Sequence, residues 1–197
     1  MGRRLGVMGG TFDPIHHGHL VTAEEALVQL ELERVVFVPT GQPWMKDDRH
    51  VSPAEDRYLM TVIATASNPR FAVSRLEVDR EGPTYTVDTL KALADEYPDS
   101  ELFFVTGADA MLEILQWKDP EEVLSLAHFI AATRPGYDLG HFEAETAARR
   151  PRVTVMHVPA LAISSTDIRR RVREGRPIRY LVPEGVKSYV EKAGLYR

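Results

Sequence analysis

Short runs of apolar residues alternate along the chain with longer stretches in which apolar positions recur every three or four residues. The short runs are bounded by glycine, proline or polar residues and predict buried strands, whereas the longer stretches predict amphipathic helices. Such alternation favours an α/β fold: a Rossmann-like, open, mostly parallel sheet with helices on both faces. The predicted strands cover residues 5–8, 34–39, 71–78, 101–106, 128–133 and 153–158.

Capping residues mark where several predicted helices begin. Ser52 is the predicted N-cap of one helix, with Pro53 in its first position and Glu55 completing a capping box. Asp119 and Pro120 give the same signal for a later helix. The predicted helices extend to about residue 30 and over 53–67, 84–97, the region of 111–115, the segment after 119, 165–174 and 183–192, the last two ending at Gly175 and Gly194.

The junction between the first strand and the first helix holds the most distinctive chemistry. It is Gly-Gly-Thr-Phe-Asp-Pro-Ile-His-His-Gly-His over residues 9–19. Gly9 and Gly10 are interpreted as residues that let the backbone turn sharply and let a ligand approach it. His16 and His19 are three residues apart, so they face the same way at the helix start, and Gly18 leaves space beside their rings. Free N–H groups, the helix dipole and two imidazoles together predict a phosphate site.

The composition excludes several other kinds of protein. The net charge is −5, whereas a nucleic-acid backbone calls for a basic surface. The chain has no cysteine, and therefore no disulfide and no zinc–thiolate site. The apolar run after Arg4 is too short for a signal peptide, and no run approaches the length of a membrane span. We therefore expect a cytoplasmic protein with no nucleic-acid or membrane partner.

Further candidate residues also follow predicted strands, at the sheet edge where open α/β folds bind their ligands. Lys46 follows the second strand, Asp109 follows a middle strand, and Arg134 follows the next. The segment 163–169, Ile-Ser-Ser-Thr-Asp-Ile-Arg, comes after the last strand. Its hydroxyls, N–H groups and guanidinium would form an anion cradle, although a plain helix start capped by one of its serines explains the same residues.

Two of these segments resemble a known superfamily. Residues 9–19, which end in His-His-Gly-His, resemble the (T/H)xGH nucleotidyltransferases, and 163–169 resemble the second motif of that superfamily, Ile-Ser-Ser-Thr-x-Ile-Arg. The segments 82–90 and 116–118 are similar to the bacterial nicotinate mononucleotide adenylyltransferases within it. The resemblance covers nearly the whole chain and is loose only at 140–152 and in the loop before Lys46.

The resemblance implies a role for each matching residue. The catalytic residues would be His16, His19 and Lys46, which contact phosphates. The pyridine ring would stack on Trp117, and the pyridine carboxylate would accept from backbone N–H groups near Thr86 and Lys118. The residues implied for ATP are Gly9, Gly10, Thr11, Phe12, Gly18, Asp109, Ser164, Ser165, Thr166 and Arg169, and those implied for the acceptor are Thr86, Trp117, Lys118 and Arg134.

The implied reaction transfers AMP from ATP to the 5′-phosphate of nicotinate mononucleotide, giving deamido-NAD and pyrophosphate. Because that phosphate is already an anionic nucleophile, no general base is needed. Two alternatives keep the chemistry and change the acceptor to nicotinamide mononucleotide or phosphopantetheine. Two others are a nucleotide-binding regulatory module without turnover and a fragment of a class I aminoacyl-tRNA synthetase, which shares a related histidine turn.

The sequence also bounds the metal requirement and the assembly. It contains no carboxylate cluster typical of a dedicated metal cage, so we expect Mg²⁺ to arrive bound to ATP and expect no protein metal ligands. The expected partners are ATP and nicotinate mononucleotide. A homo-oligomer is compatible with the sequence, which does not fix the oligomeric state. We expect residues 1–197 to form a single domain with the helical segment 164–197 packed on it.

Overall fold

A parallel sheet of six strands forms the centre of the fold in the computed structural model, which describes residues 2–43, 51–108, 111, 114, 117–133, 153–159 and 161–197. Two further strands of two residues each pair with one another outside that sheet. In chain order the strands are β1 (Arg3–Gly10), β2 (Arg34–Pro39), β3 (Gln42–Pro43), β4 (Phe71–Val73), β5 (Pro83–Thr84), β6 (Ser100–Gly107), β7 (His128–Thr133) and β8 (Val153–His157).

The strand order of the sheet is β4-β2-β1-β6-β7-β8, with every neighbouring pair parallel. After β1 the chain adds β2 and β4 on one side of it. The chain then crosses back, places β6 on the other side of β1, and adds β7 and β8 beyond β6. The order therefore reverses between β1 and β6, and ligands of open α/β sheets bind beyond the carboxyl ends of the strands at this point. The Rossmann-like parallel sheet predicted from the sequence is confirmed.

Helices cover both faces of the sheet because its strands are apolar on both sides. In β1, Val7 packs with the helix residues Leu90 and Leu93 on one face, whereas Met8 packs with Leu27 and Ile168 on the other. The helices are α1 (His17–Gln29), α2 (Ala54–Thr65), α3 (Thr86–Glu96), α4 (Pro120–Leu126), α5 (Ser165–Arg173) and α6 (Glu184–Ala193). Buried residues of α3 and α4 lie on the Val7 face, and those of α1, α2, α5 and α6 lie on the Met8 face.

One capping prediction is wrong, and another is confirmed only in the position of its residues. Ala54 begins α2 and Pro53 is its N-cap residue, so Ser52 lies one residue further out. No side-chain cap bond is made, and the backbone N–H of Ser52 donates instead to the Asp13 carboxylate at 3.2 Å. Asp119 is the N-cap residue of α4 as predicted, but its backbone is left-handed (φ 49°) and its side chain makes no cap bond, so the predicted capping box is absent. Pro120 does occupy the first turn.

The strand predicted over 71–78 is shorter than expected. It ends at Val73, and the following residues form turns in which Asp79 N–H donates to Arg75 O at 2.9 Å. The Arg75 guanidinium also binds the carboxylates of Glu55 and Asp79. These bonds hold the chain in a turn although its side chains alternate loosely as in a strand.

Several predictions fall outside the described residues: most of the helix near 111–115, the loop 44–50, the break at 134–137 and the insertion at 140–152. The glycines predicted to end α5 and α6 are confirmed in that role, since Gly175 and Gly194 both have φ of 66°. Within the described part of the chain, no helix combines the length and the apolar character that crossing a membrane requires.

Candidate active site

His16 and His19 form a stacked pair at the start of α1. Their ring centroids are 3.7 Å apart and their planes differ by 24°. His16 is only 5% exposed, and its backbone N–H donates to Nδ1 of His19 at 3.2 Å. Because Nδ1 accepts this bond, a neutral His19 ring has its hydrogen on Nε2. His19 is thereby prepared as a hydrogen-bond donor beside the positive end of the helix.

Gly18 makes room for this pair. A Cβ atom at Gly18 would lie 3.0 Å from both Cε1 and Nδ1 of the His16 ring, which is closer than ordinary contact. The sequence predicts that Gly18 leaves space beside the histidine rings, and in the structure the His16 ring packs closely against the backbone at Gly18.

The interpretation of Gly9 and Gly10 as the turn is wrong. Both end the extended strand β1, and the left-handed residue of the turn is Phe12, with φ of 49°. A Cβ at Gly9 would lie 3.1 Å from the Phe104 ring, and a Cβ at Gly10 would lie 2.8 Å from the Phe12 ring. The two glycines are therefore required for space.

Phe12 packs against the histidine pair. Its side chain is buried, and its ring meets the His19 ring edge-on at 5.1 Å and the Phe37 ring at 5.9 Å. Any contact between Phe12 and a nucleotide would therefore have to use its backbone.

A cavity of about 490 Å³ lies beyond the carboxyl ends of β1, β6 and β7. This volume is in the usual range for small-molecule sites. The cavity brings together two segments that are far apart in the sequence, the 9–19 junction and the start of α5. Its lining includes Met8, Gly9, His16, Gly18, His19, Thr106, Gly107, Thr133, Ile163, Ser164 and Ser165.

The start of α5 is bonded to the turn before α1. Ser164 is its N-cap, and its Oγ accepts from Asp167 N–H at 3.2 Å. The Ser165 hydroxyl donates to Pro14 O at 2.9 Å. Arg169 Nη1 donates to Asp13 O at 2.7 Å. Ser164 therefore has the plain capping role, and the same helix start also lines the cavity.

Thr166 is exposed and accepts from Arg169 Nη2 at 3.4 Å. The Arg169 side chain is 23% exposed and thus partly open to a ligand. These two residues extend the polar wall that begins at Ser164.

Three of the predicted acceptor residues, Thr86, Trp117 and Lys118, are not among the residues that line this cavity. Trp117 meets the Phe104 ring edge-on at 6.1 Å, and Phe104 is the ring that a Cβ at Gly9 would touch. Lys118 Nζ is 3.4 Å from Asp88 Oδ2 and 4.6 Å from the centre of the Tyr85 ring. The Lys118 ammonium is thus bonded within the protein. Thr86 begins α3 in the same region.

Three of the predicted site residues, Lys46, Asp109 and Arg134, lie outside the described residues. The described part of the chain contains no group of three or more His, Asp or Glu side chains that could hold a metal ion.

Sequence reasoning missed Arg57, which organises the loops around the site. Its side chain is buried, and it donates to Thr11 O at 2.8 Å, to Gly41 O at 2.8 Å and to Ser52 O at 2.9 Å. Burial lowers the pKa of its guanidinium, while the nearby Asp13 acts in the opposite direction. A signal was available, because Arg57 shares a helical face with the buried Met60, Thr61 and Ala64.

Comparison with known proteins places this geometry in a class. The family model described as "Cytidylyltransferase-like" matches residues 7–171. With that match, the fold and the paired histidines define a nucleotidyltransferase of the cytidylyltransferase-like family. A "Probable nicotinate-nucleotide adenylyltransferase" of Acidothermus cellulolyticus is 59% identical over 199 residues, which cover 98% of this chain and 94% of the relative. A protein of the same name from Streptomyces coelicolor is 62% identical over 192 residues, covering 96% and 99%. The chain belongs to the family of nicotinate-nucleotide adenylyltransferases.

A solved structure supports the same fold. The nicotinic acid mononucleotide adenylyltransferase of Plasmodium falciparum, complexed with NaAD, superposes with a TM-score of 0.81. The match covers 98% of this chain and 97% of that one at 19% sequence identity. At this identity the likeness concerns the fold.

Proposed function

We propose that this protein transfers the AMP group of ATP to the 5′-phosphate of nicotinate mononucleotide, forming deamido-NAD and pyrophosphate. The observation that supports it most is that His16 and His19, which stack, line the same cavity as Ser164 and Ser165. The names of the relatives at about 60% identity support the same pair of substrates.

The chemistry needs positioning and charge stabilisation more than proton transfer. An oxygen of the acceptor phosphate attacks the α-phosphorus of ATP in line, and a new P–O bond forms. The bond from the α-phosphorus to the bridging oxygen breaks, and its electron pair leaves with pyrophosphate. His16 and His19 stabilise the charge that grows on the phosphate oxygens.

We propose that the start of α5 holds the leaving pyrophosphate. Its N–H groups, the Ser164 and Ser165 hydroxyls and the Arg169 guanidinium are suited to an anion. Thr166 adds a hydroxyl beside Arg169. Mg²⁺ supplied with ATP would neutralise part of the charge of the phosphates. Gly9, Gly10, Thr11, Phe12 and Gly18 contact the nucleotide mainly through their backbone and the space they leave.

The acceptor would bind beside Trp117, whose ring contacts Phe104 next to Gly9. An indole face suits the cationic pyridinium ring, and N–H donors near Thr86 and Lys118 would select an acid over an amide. The roles of Lys46, Asp109 and Arg134 stay predictions, as do the cytoplasmic location and a homo-oligomeric state.

We further propose that residues 1–197 act as one domain. Bonds from Ser165 to Pro14 and from Arg169 to Asp13 support this, together with the burial of Ile168 in the same core as Met8.

Pyrophosphate release from Mg·ATP tests the proposal with nicotinate mononucleotide, nicotinamide mononucleotide and phosphopantetheine as parallel acceptors. We expect the nicotinate substrate to have by far the highest kcat/KM. Equal use of acid and amide would overturn the proposed carboxylate site. ATP binding without release by any acceptor would favour the regulatory module.

A further inference from the structure

A buried carboxylate lies beneath the catalytic turn and is contacted by residues from three other segments of the chain. The Asp13 side chain is 3% exposed. Its Oδ1 accepts from the Tyr196 hydroxyl at 2.7 Å, and its Oδ2 accepts from Ser52 N–H at 3.2 Å. Arg169 Nη1 lies 3.9 Å from Oδ2 and donates to the backbone O of Asp13 at 2.7 Å.

The Tyr196 hydroxyl is the side-chain donor that makes the shortest bond to this carboxylate. Buried carboxylates need donors, and a neutral hydroxyl supplies one without adding charge. Burial, followed by the Asp13 charge, raises the pKa of Tyr196 well above its usual range, so the hydroxyl keeps its proton. The Asp13 carboxylate therefore has hydrogen-bond donors while Nη1 of Arg169 stays 3.9 Å from its Oδ2.

The C-terminal turn is shaped to deliver this hydroxyl. After α6, Gly194 and Tyr196 both have left-handed backbones, with φ of 66° and 67°. Leu195 N–H donates to Val190 O at 3.1 Å, and both Leu195 and Tyr196 pack against the core. Left-handed backbone is uncommon for a tyrosine, so the packing and the hydroxyl bond together hold Tyr196 in this position.

We propose that Tyr196 is a positioning residue for ATP: by donating to Asp13, it keeps the Arg169 guanidinium available for the phosphates. The inference rests on the proposed function, in which Arg169 contacts the pyrophosphate part of ATP. Without the hydroxyl, the Asp13 carboxylate would draw Arg169 across the present 3.9 Å and compete with the phosphates for its N–H groups.

The variant Tyr196→Phe tests this inference, with Tyr189→Phe as its matched control. The Tyr189 hydroxyl donates to Asp56 Oδ1 at the same 2.7 Å, but that bond joins α6 to α2 and touches no residue of the site. For Tyr196→Phe we expect KM for ATP to rise about fivefold or more, with kcat and KM for nicotinate mononucleotide within about twofold of wild type. For Tyr189→Phe we expect all three constants within about twofold of wild type.

A double-mutant cycle with Arg169→Lys adds a readout that loss of stability would not give. Because both changes act on the same contact to phosphate, we expect the Tyr196→Phe effect on KM for ATP to be much smaller in the Arg169→Lys background. If the increases in KM for ATP from the two substitutions simply multiplied in the double variant, the inference would be overturned. So would an equal effect of Tyr196→Phe on both KM values, which would indicate a purely structural role.

The same experiments separate this inference from the proposed function. Wild-type protein that turns over nicotinate mononucleotide, while Tyr196→Phe behaves like Tyr189→Phe, would refute the positioning role alone. If the wild type shows no turnover, calorimetric titration with Mg·ATP takes the place of kinetics. Weaker binding to Tyr196→Phe than to wild type and Tyr189→Phe would then support the inference, and equal binding would overturn it.

Discussion

The backbone N–H of His16 donates to Nδ1 of His19 while the two rings stack with centroids 3.7 Å apart. This arrangement fixes the tautomer of a neutral His19 and leaves Nε2 as the donor. Both rings line one cavity with the start of α5. The pair therefore acts as a single unit whose geometry depends on its neighbours.

Removing the second imidazole tests that unit directly. For His19→Ala we expect kcat to fall by about a hundredfold or more, since a preorganised donor to the developing charge is lost. The fold should persist, as judged by circular dichroism. The control is His17→Ala, because His17 lies in the same turn but not in the cavity lining. A near-normal kcat in His19→Ala would refute the assigned role.

A single added methyl group should disturb the pair. In Gly18→Ala the new Cβ would lie 3.0 Å from the His16 ring, so the ring must move. Small displacements of catalytic groups are costly, and we expect kcat to fall by about tenfold or more. Because alanine favours a helix over glycine by about 1 kcal/mol, this gain offsets the cost of the close contact, and Tm should change little.

The control for this variant is Gly2→Ala, whose Cβ would make an ordinary 3.6 Å contact with Asp99 O. A Gly18→Ala protein with lost stability and unchanged kcat would show that the close contact has no catalytic consequence.

Trp117 should act on the acceptor alone. For Trp117→Ala we expect KM for nicotinate mononucleotide to rise about tenfold and KM for ATP to stay within about twofold, because the lost contact is to the pyridine ring. Lys118→Ala should raise the acceptor KM less, since its ammonium is bonded to Asp88 and its backbone donor remains. Equal increases for both substrates in Trp117→Ala would contradict the assignment.

Arg57 should matter for stability because its buried side chain donates to three backbone carbonyls. Arg57→Ala leaves the carbonyls of Thr11, Gly41 and Ser52 without their donor, and we expect a loss of about 3 kcal/mol in the free energy of unfolding. For a chain of this size that corresponds to a Tm about 10 °C lower. The exposed Arg70 makes one bond at 3.3 Å, to Leu32 O, and Arg70→Ala should lower Tm by far less. Similar losses in both variants would refute the structural role of Arg57.

Stability should also depend on pH through Glu77. Glu77 is 7% exposed, and burial raises the pKa of its carboxyl group in the folded protein, although the Thr89 hydroxyl donates to it at 2.6 Å. The folded state therefore binds the proton more tightly than the unfolded chain. The stability from this group is fully present below the unfolded pKa of about 4.3 and decreases as pH rises through the folded value.

Urea unfolding of Glu77→Gln over a pH series from about 4 upward measures this effect. The free energy of unfolding of the variant should fall less steeply with rising pH than that of wild type. Glu81→Gln, at an exposed position, is the control and should keep the wild-type slope. Equal slopes for Glu77→Gln and wild type would contradict the linkage.

The six strands of the main sheet and most helix ends could be predicted from the sequence because their signals are local, whereas the short strands β3 and β5 were missed. Runs such as 34–39 and 128–133 match β2 and β7 to the residue, and Gly175 and Gly194 end helices as expected. The strand β4 was predicted too long because Arg75 holds the turn after it through Glu55, which is 20 residues away. A local pattern does not contain that bond.

The candidate site was only partly predictable for the same reason. The motifs supplied His16, His19 and the start of α5, but not the bonds that hold them. Asp13 and Tyr196 are 183 residues apart and meet only through the packing of α6. Such contacts depend on the whole fold, and no spacing within the sequence indicates them.

Labelled ATP tests the central claim most directly. With nicotinate mononucleotide as acceptor, label at the α-phosphorus should appear in deamido-NAD, and labels at the β- and γ-phosphorus should appear in pyrophosphate. That distribution would place the cleavage between the α- and β-phosphorus atoms, as adenylyl transfer requires. A γ-label in the product, or an α-label recovered only as AMP, would contradict adenylyl transfer.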